Sequence, residues 1–95
     1  MLEKQIEKRL INKAKKLGGL ALKFTSPGKN GMPDRIILLP GGQIVFVELK
    51  APGKKLKPLQ QKRFRQLRKL GFQALKIDSV KDADEFIREV FSSNV

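Results

Sequence analysis

The chain has no cysteine, histidine, tryptophan or tyrosine. Without cysteine there is no disulfide framework, no thiolate nucleophile and no Cys-based zinc site. Without histidine the Ser-His-Asp triad, imidazole acid/base catalysis and His-ligated metals are excluded. The only aromatics are six Phe, which argues against a single-strand binder that stacks bases and for recognition of shape and backbone. No window approaches a membrane span, and Met1 to Arg9 has no apolar stretch suited to a signal peptide. An intracellular, cytoplasmic location is therefore expected. Chemistry must come from carboxylates, Lys or Arg, hydroxyls, amides and backbone.

Acidic residues are also scarce. Nine Asp plus Glu face 21 Lys plus Arg, a formal charge of +12 on 95 residues. A surplus of this size points to a polyanionic partner, most simply nucleic acid, because Lys and Arg release condensed counterions from phosphates. An acidic membrane is the weaker match, since a membrane helix segregates its charges from bulky apolar residues. A hydrophobic fraction of 40% with 32% charged residues belongs to a folding chain. The length predicts one domain over residues 1–95, with one modest core.

Leu2, Ile6, Leu10, Ala14 and Leu17 recur at helical spacing and Gly18-Gly19 stops the run, which predicts a helix over 2–17. Leu20 to Thr25 has the composition of a short strand, and 26–33 is a Pro- and Gly-containing loop. Asp34 to Leu39 and Gln43 to Lys50, joined at Pro40-Gly41-Gly42, read as a hairpin whose strands are buried on both faces. A Lys- and Pro-rich connection leads to a helix over 59–70, a strand over 72–77 and, capped by Ser79, a helix over 80–91. The predicted order is αβββαβα. The right-handed crossover places the fourth strand parallel to the third, giving an α/β fold with a mixed sheet.

A tight turn in this hairpin sets Asp34 opposite Glu48 or Leu49. If Asp34 and Glu48 share a face, their β-carbons lie within about 5–6 Å, close enough to hold one hard divalent cation. Strand alternation points Glu48 and Lys50 the same way and Leu49 into the other layer. Two carboxylates alone repel, and one would protonate near neutrality. A bound Mg²⁺ with Lys50 removes that difficulty and suits phosphodiester hydrolysis, the ammonium orienting water and stabilising developing charge. Glu3 and Glu7, one turn apart beside the Ile6 and Leu10 stripe, offer a further acid from the first helix. Gln60 opens the second helix near the end of that strand, either to hydrogen-bond a water or Lys50 or to satisfy backbone at the helix end. Lys23, Lys29, Arg35, Lys54, Lys55 and Lys57 lie in the segments flanking Asp34 and Lys50 and are assigned to phosphate contacts.

Pro33-Asp34 followed by Glu48-Leu49-Lys50 resembles the PD-(D/E)xK nucleases. Gly18 to Phe24, Ser26-Pro27-Gly28 through Gly31-Met32-Pro33-Asp34-Arg35, Val45 to Gly53, Pro58-Leu59-Gln60, Leu67 and Leu70-Gly71-Phe72 resemble their VRR-NUC branch, so the likeness runs from Glu3 to about Ser79. It implies an αβββαβ restriction-endonuclease-like core and a Mg²⁺- or Mn²⁺-dependent DNA endonuclease. It also implies metal held by Asp34, Glu48 and the Leu49 carbonyl, Lys50 at the attacking water, and accessory Gln60 and Glu3, with Glu7 second for the helix acid. Stand-alone members of this kind, found in phages and bacteria, imply a homodimer acting on branched DNA such as Holliday junctions. Apolar residues of the last helix, Phe86, Ile87 and Phe91, are the candidates for the dimer contact; the alternative is that Phe86, Ile87 and Val90 cover the sheet, which leaves Phe91 as the foremost candidate. The rival class is a non-enzymatic basic nucleic-acid-binding protein, in which Asp34 and Glu48 are strand-end charges and no metal is needed. A ribosomal-type RNA-binding protein would spread its Lys and Arg evenly and have no acidic pocket.

Overall fold

In the computed structural model, which describes residues 3–93, the order is α1 (Glu3–Lys16), β1 (Leu20–Lys23), β2 (Arg35–Leu39), β3 (Gln43–Leu49), α2 (Pro58–Lys69), β4 (Gln73–Ile77) and α3 (Val80–Ser93). The sheet runs β1-β2-β3-β4, with β1, β2 and β3 antiparallel and β4 parallel to β3. The expected αβββαβα order and mixed sheet are thus observed, with every helix and strand end within two residues of its expected place; α2 starts one residue earlier and α3 ends two residues later than expected. The hairpin closes through a three-residue loop, Leu39 pairing with Gln43. Gly41 and Gly42 both adopt positive φ there, a conformation that costs glycine nothing.

Strand alternation divides the core in two. Ile37, Leu39, Val45, Val47, Leu49 and Ile77 point to one face, where Ile6, Leu10 and Ala14 of α1 and Ala83 and Phe86 of α3 cover them. Arg9 clamps α1 to α3 through a two-point bond to Asp84, both nitrogens at 3.1 Å. On the other face Phe46 and Ala74 pack against Phe64 and Leu67 of α2, with Phe24, Met32, Ile36 and Leu56 at the margin.

One expectation changes. β3 is buried along its second half, but β2 alternates between buried and half-buried residues. The reason is that α2 packs chiefly on β4 and β3, so the α2 face of β1 and β2 stays partly uncovered, with Leu20 57% and Leu22 45% exposed and Ile44 of β3 40% exposed. Phe86, for which covering the sheet is the alternative to a dimer contact, covers the sheet as a core residue at 6% exposure. The side chains of Ile87 and Phe91 lie outside the described residues.

Candidate active site

The hairpin register fixes the site. Arg35 pairs with Val47, so the preceding residue, Asp34, stands opposite Glu48, and both belong to the α2 face. The Leu49 N–H donates to Asp34 Oδ1 at 3.2 Å, stitching the carboxylate to the end of β3. Glu48 is 7% exposed, and Lys50 Nζ approaches its Oε2 at 3.8 Å. Leu49 is 1% exposed and points into the α1/α3 core, as alternation requires. Asp34, Glu48 and Lys50 therefore form one patch at the end of the hairpin.

Several local devices hold the patch. Pro33 is fully buried and Phe24 N donates to the Asp34 carbonyl at 2.9 Å, tethering the entry to β2. Gly31 has φ +84°, and a β-carbon there would sit 2.6 Å from Leu59 Cγ, so only glycine lets the 26–33 loop lie against the first turn of α2. Arg63 of α2 reaches the same loop, its Nε donating to the Asn30 carbonyl at 2.8 Å. Beyond Lys50 the chain is fastened to β4: Lys50 N bonds the Ile77 carbonyl, Gly53 N bonds Asp78 Oδ2, and Lys76 Nζ bonds the Lys54 carbonyl. Lys76, which stands beside Glu48 in the parallel register, escaped sequence reasoning because parallel register leaves no local signal.

Electrostatically the two acids are uncomfortable. Burial pushes the Asp34 carboxyl above its usual range, opposed by the Leu49 N–H. Glu48 is pushed up to about 7, first by burial and then by the charge of Asp34, with Lys50 pulling the other way. The Glu3 carboxylate adds a smaller push to both, which places it within electrostatic reach of the site. Glu7 is engaged elsewhere, its Oε2 2.9 Å from Arg35 Nη2.

That pair bears on one expectation. Arg35, expected at a phosphate contact, is 7% exposed, its Nη1 donates to the Ala21 carbonyl at 3.5 Å and its charge is matched by Glu7. It follows Asp34 directly, so alternation turns it to the opposite face, beneath α1. Gln60 takes the helix-end role, its Oε1 accepting from Lys57 N at 2.8 Å. Lys23, Lys29, Lys54, Lys55 and Lys57 are exposed. Lys23 pairs in register with Arg35, and the others lie in the segments leading into Asp34 and out of Lys50.

Among the described residues no cluster of three or more His, Cys, Asp or Glu is arranged to hold a metal. The side-chain donors are the Asp34 and Glu48 carboxylates, hard oxygen ligands of the kind Mg²⁺ and Mn²⁺ take alongside carbonyls and water. Their raised proton affinities are what a divalent cation would relieve. The donor set fits such an ion.

Comparison with known proteins points to one family. The family model of the VRR-NUC domain matches residues 2–81. The protein named "Putative nuclease p44" of Acyrthosiphon pisum secondary endosymbiont phage 1 is 49% identical over 77 residues, covering 81% of this chain and 83% of that one. A solved VRR-NUC domain superposes with a TM-score of 0.84 at 33% identity, covering 90% of this chain and 94% of the other. A second, a VRR-NUC domain protein, gives 0.72 at 20% identity over 93% and 86%, a likeness of fold alone. The match spans the hairpin with its acid pair, both helices that flank the sheet at this end, and β4: the chain belongs to the VRR-NUC family.

Proposed function

We propose that the protein is a metal-dependent DNA endonuclease. The observation that carries this reading is the conjunction of Asp34, Glu48 and Lys50 in one patch at the hairpin end, in a chain of charge +12. Family membership and the name of the phage relative support nuclease activity. Asp34, Glu48 and the Leu49 carbonyl would hold Mg²⁺ or Mn²⁺. When bound, the ion supplies Lewis-acid polarisation of the scissile phosphate and a more acidic water.

The chain's own residues do the rest. Lys50 sits 3.8 Å from Glu48, where its ammonium can orient the attacking water and balance negative charge on the phosphorus oxygens as the P–O bond breaks. Glu3 supplies the helix acid in support of that water. Gln60 positions the turn that follows Lys50, since its Oε1 caps α2 through Lys57 N. Lys29, Lys54, Lys55 and Lys57 contact phosphates on either side of the cut, Lys23 reaches one from the other face of the edge strand, and recognition is of backbone and shape.

The reading includes a two-fold homodimer selective for branched DNA such as four-way junctions. A domain this small cannot easily span a duplex with one patch, and two symmetric sites suit symmetry-related strands. The dimer contact lies on the uncovered sheet face, where Leu20, Leu22 and Ile44 are exposed. Their register partners Leu38 and Ile36 place all three on one side of the sheet. A cleavage panel tests the whole: linear, nicked, flapped and four-way DNA, with Mg²⁺, Mn²⁺ or EDTA. The reading expects metal-dependent products from four-way DNA before linear duplex. Binding of every substrate without cleavage in any metal would favour the non-enzymatic binder.

A further inference from the structure

The helix α2 carries charge that the site described above does not use. Its sequence, Pro58-Leu59-Gln60-Gln61-Lys62-Arg63-Phe64-Arg65-Gln66-Leu67-Arg68-Lys69, holds five cations and no acid. Two of the five are tied into the fold. Arg63 bonds the Asn30 carbonyl and Gln66, and Arg68 bonds the Ala74 carbonyl at 2.6 Å and covers the Phe64 ring at 5.4 Å. The other three, Lys62, Arg65 and Lys69, are exposed and make no hydrogen bond or ion pair among the described residues.

Spacing puts these three on one stripe. Phe64 and Leu67 define the buried side of α2, and residues 62, 65 and 69 fall on the side turned away from it at 3.6 residues per turn. From Lys62 to Lys69 the helix rises about 10 Å, the axial length of roughly three phosphates of one B-form strand. Shallow grooves flank the stripe. One is lined by Lys55, Gln61, Arg65, Arg68 and Lys76, and another by Lys62, Arg65, Gln66 and Lys69, and no carboxylate lines either. The first groove begins at Lys55 and Lys76, next to the end of β3 where Glu48 and Lys50 stand. The basic surface is therefore continuous with the reactive patch and on the same face of the sheet.

We propose that Lys62, Arg65 and Lys69 form a phosphate-binding ridge that holds the duplex DNA backbone beyond the scissile position, acting as positioning residues. This rests on the nuclease reading for its substrate but not for its binding. Stripping the ridge should lower affinity without touching the chemistry of the bound complex.

The test is the triple variant Lys62→Gln, Arg65→Gln, Lys69→Gln, compared with Lys8→Gln, Lys15→Gln, Lys16→Gln on α1, which packs against the opposite face. Both remove three charges from solvent-facing helix positions, and circular dichroism checks that each folds. Binding to a short linear duplex in EDTA is followed by fluorescence anisotropy over a salt series. The α2 variant should flatten the slope of log affinity against log salt by about 2–3, since each lost phosphate contact contributes about 0.9. The α1 variant should flatten it by less than one. With Mg²⁺ or Mn²⁺, the α2 variant should raise KM at least tenfold and leave kcat unchanged. Equal flattening by both variants, or none by the α2 variant, overturns the ridge. A wild type that binds with the predicted α2 dependence yet cleaves nothing supports the ridge and overturns the nuclease reading.

Discussion

Glu7 Oε2 lies 2.9 Å from Arg35 Nη2, and the arginine side chain is 9% exposed against 32% for the glutamate. This contact ties α1 to β2 and engages one of the two helix acids. Glu7 neutralises a buried guanidinium, so Glu3, one turn earlier, is the acid left within reach of Asp34 and Glu48.

The two glutamates should accordingly part company on mutation. Glu7→Ala leaves Arg35 buried and unpaired, and should cost on the order of 2 kcal/mol, less than a fully buried pair because Glu7 is partly solvated. Thermal denaturation should show a drop of roughly 8–16 °C for a domain of this size. Glu3→Gln should melt within about 2 °C of wild type while cleavage slows. Equal loss of stability in both variants would mean that the helix acids are not divided in this way.

Much of this site was legible in the sequence because a hairpin converts chain separation into distance. Asp34 and Glu48 are 14 residues apart, and a three-residue turn at Pro40-Gly41-Gly42 leaves little choice of register. The same alternation that aimed Glu48 and Lys50 together would have turned Arg35 away from Asp34. A basic residue beside the motif suggests a phosphate contact, whereas its parity puts it on the α1 face, where it is paired with Glu7. The uncovered face of β1 and β2 was not legible. Ile36-Ile37-Leu38-Leu39 reads as buried on both sides, and only the lateral position of α2 shows which side is left open. Lys76 lay beyond reach for a similar reason, since the offset of a parallel strand is set by packing after a long crossover.

Lys50 should act on the reaction and not on the metal. Lys50→Ala is expected to abolish cleavage while calorimetric Mn²⁺ affinity stays within a few-fold of wild type, whereas Asp34→Ala should lose both. Mn²⁺ affinity that collapses equally in the two variants would make Lys50 part of the ion site.

Stability should respond to pH through Glu48. Its carboxyl titrates at about 7 in the fold against an ordinary 4.5. Between those values the folded state holds more protons than the unfolded chain, so stability falls as pH rises through that window. The loss, after allowance for solvent screening, is on the order of 1–2 kcal/mol. Urea melts in EDTA from pH 4.5 to 8 should show this decline in wild type and a flatter profile in Glu48→Gln. Stability that rises across the same window in EDTA would show that the acid pair is not strained in the absence of metal.

Assembly should follow the uncovered sheet face. Light scattering at micromolar concentration should give twice the chain mass for wild type and the single-chain mass for Leu22→Glu, which sets a charge in the exposed apolar patch. A clean single-chain mass for wild type, with or without DNA, would remove symmetric cutting and leave the hydrolytic chemistry standing.

The most direct measurement is single-turnover cleavage of a labelled four-way DNA by wild type and Glu48→Gln, each at saturating protein with Mg²⁺, with Mn²⁺ and with EDTA. Wild type should cut in either metal and not in EDTA. Glu48→Gln, which keeps the shape of the side chain and removes its charge, should bind the DNA and cut at least 100-fold more slowly, in line with loss of a metal ligand. Cleavage by Glu48→Gln at the wild-type rate, or wild-type cleavage undiminished in EDTA, would contradict a metal-dependent nuclease built on Asp34 and Glu48.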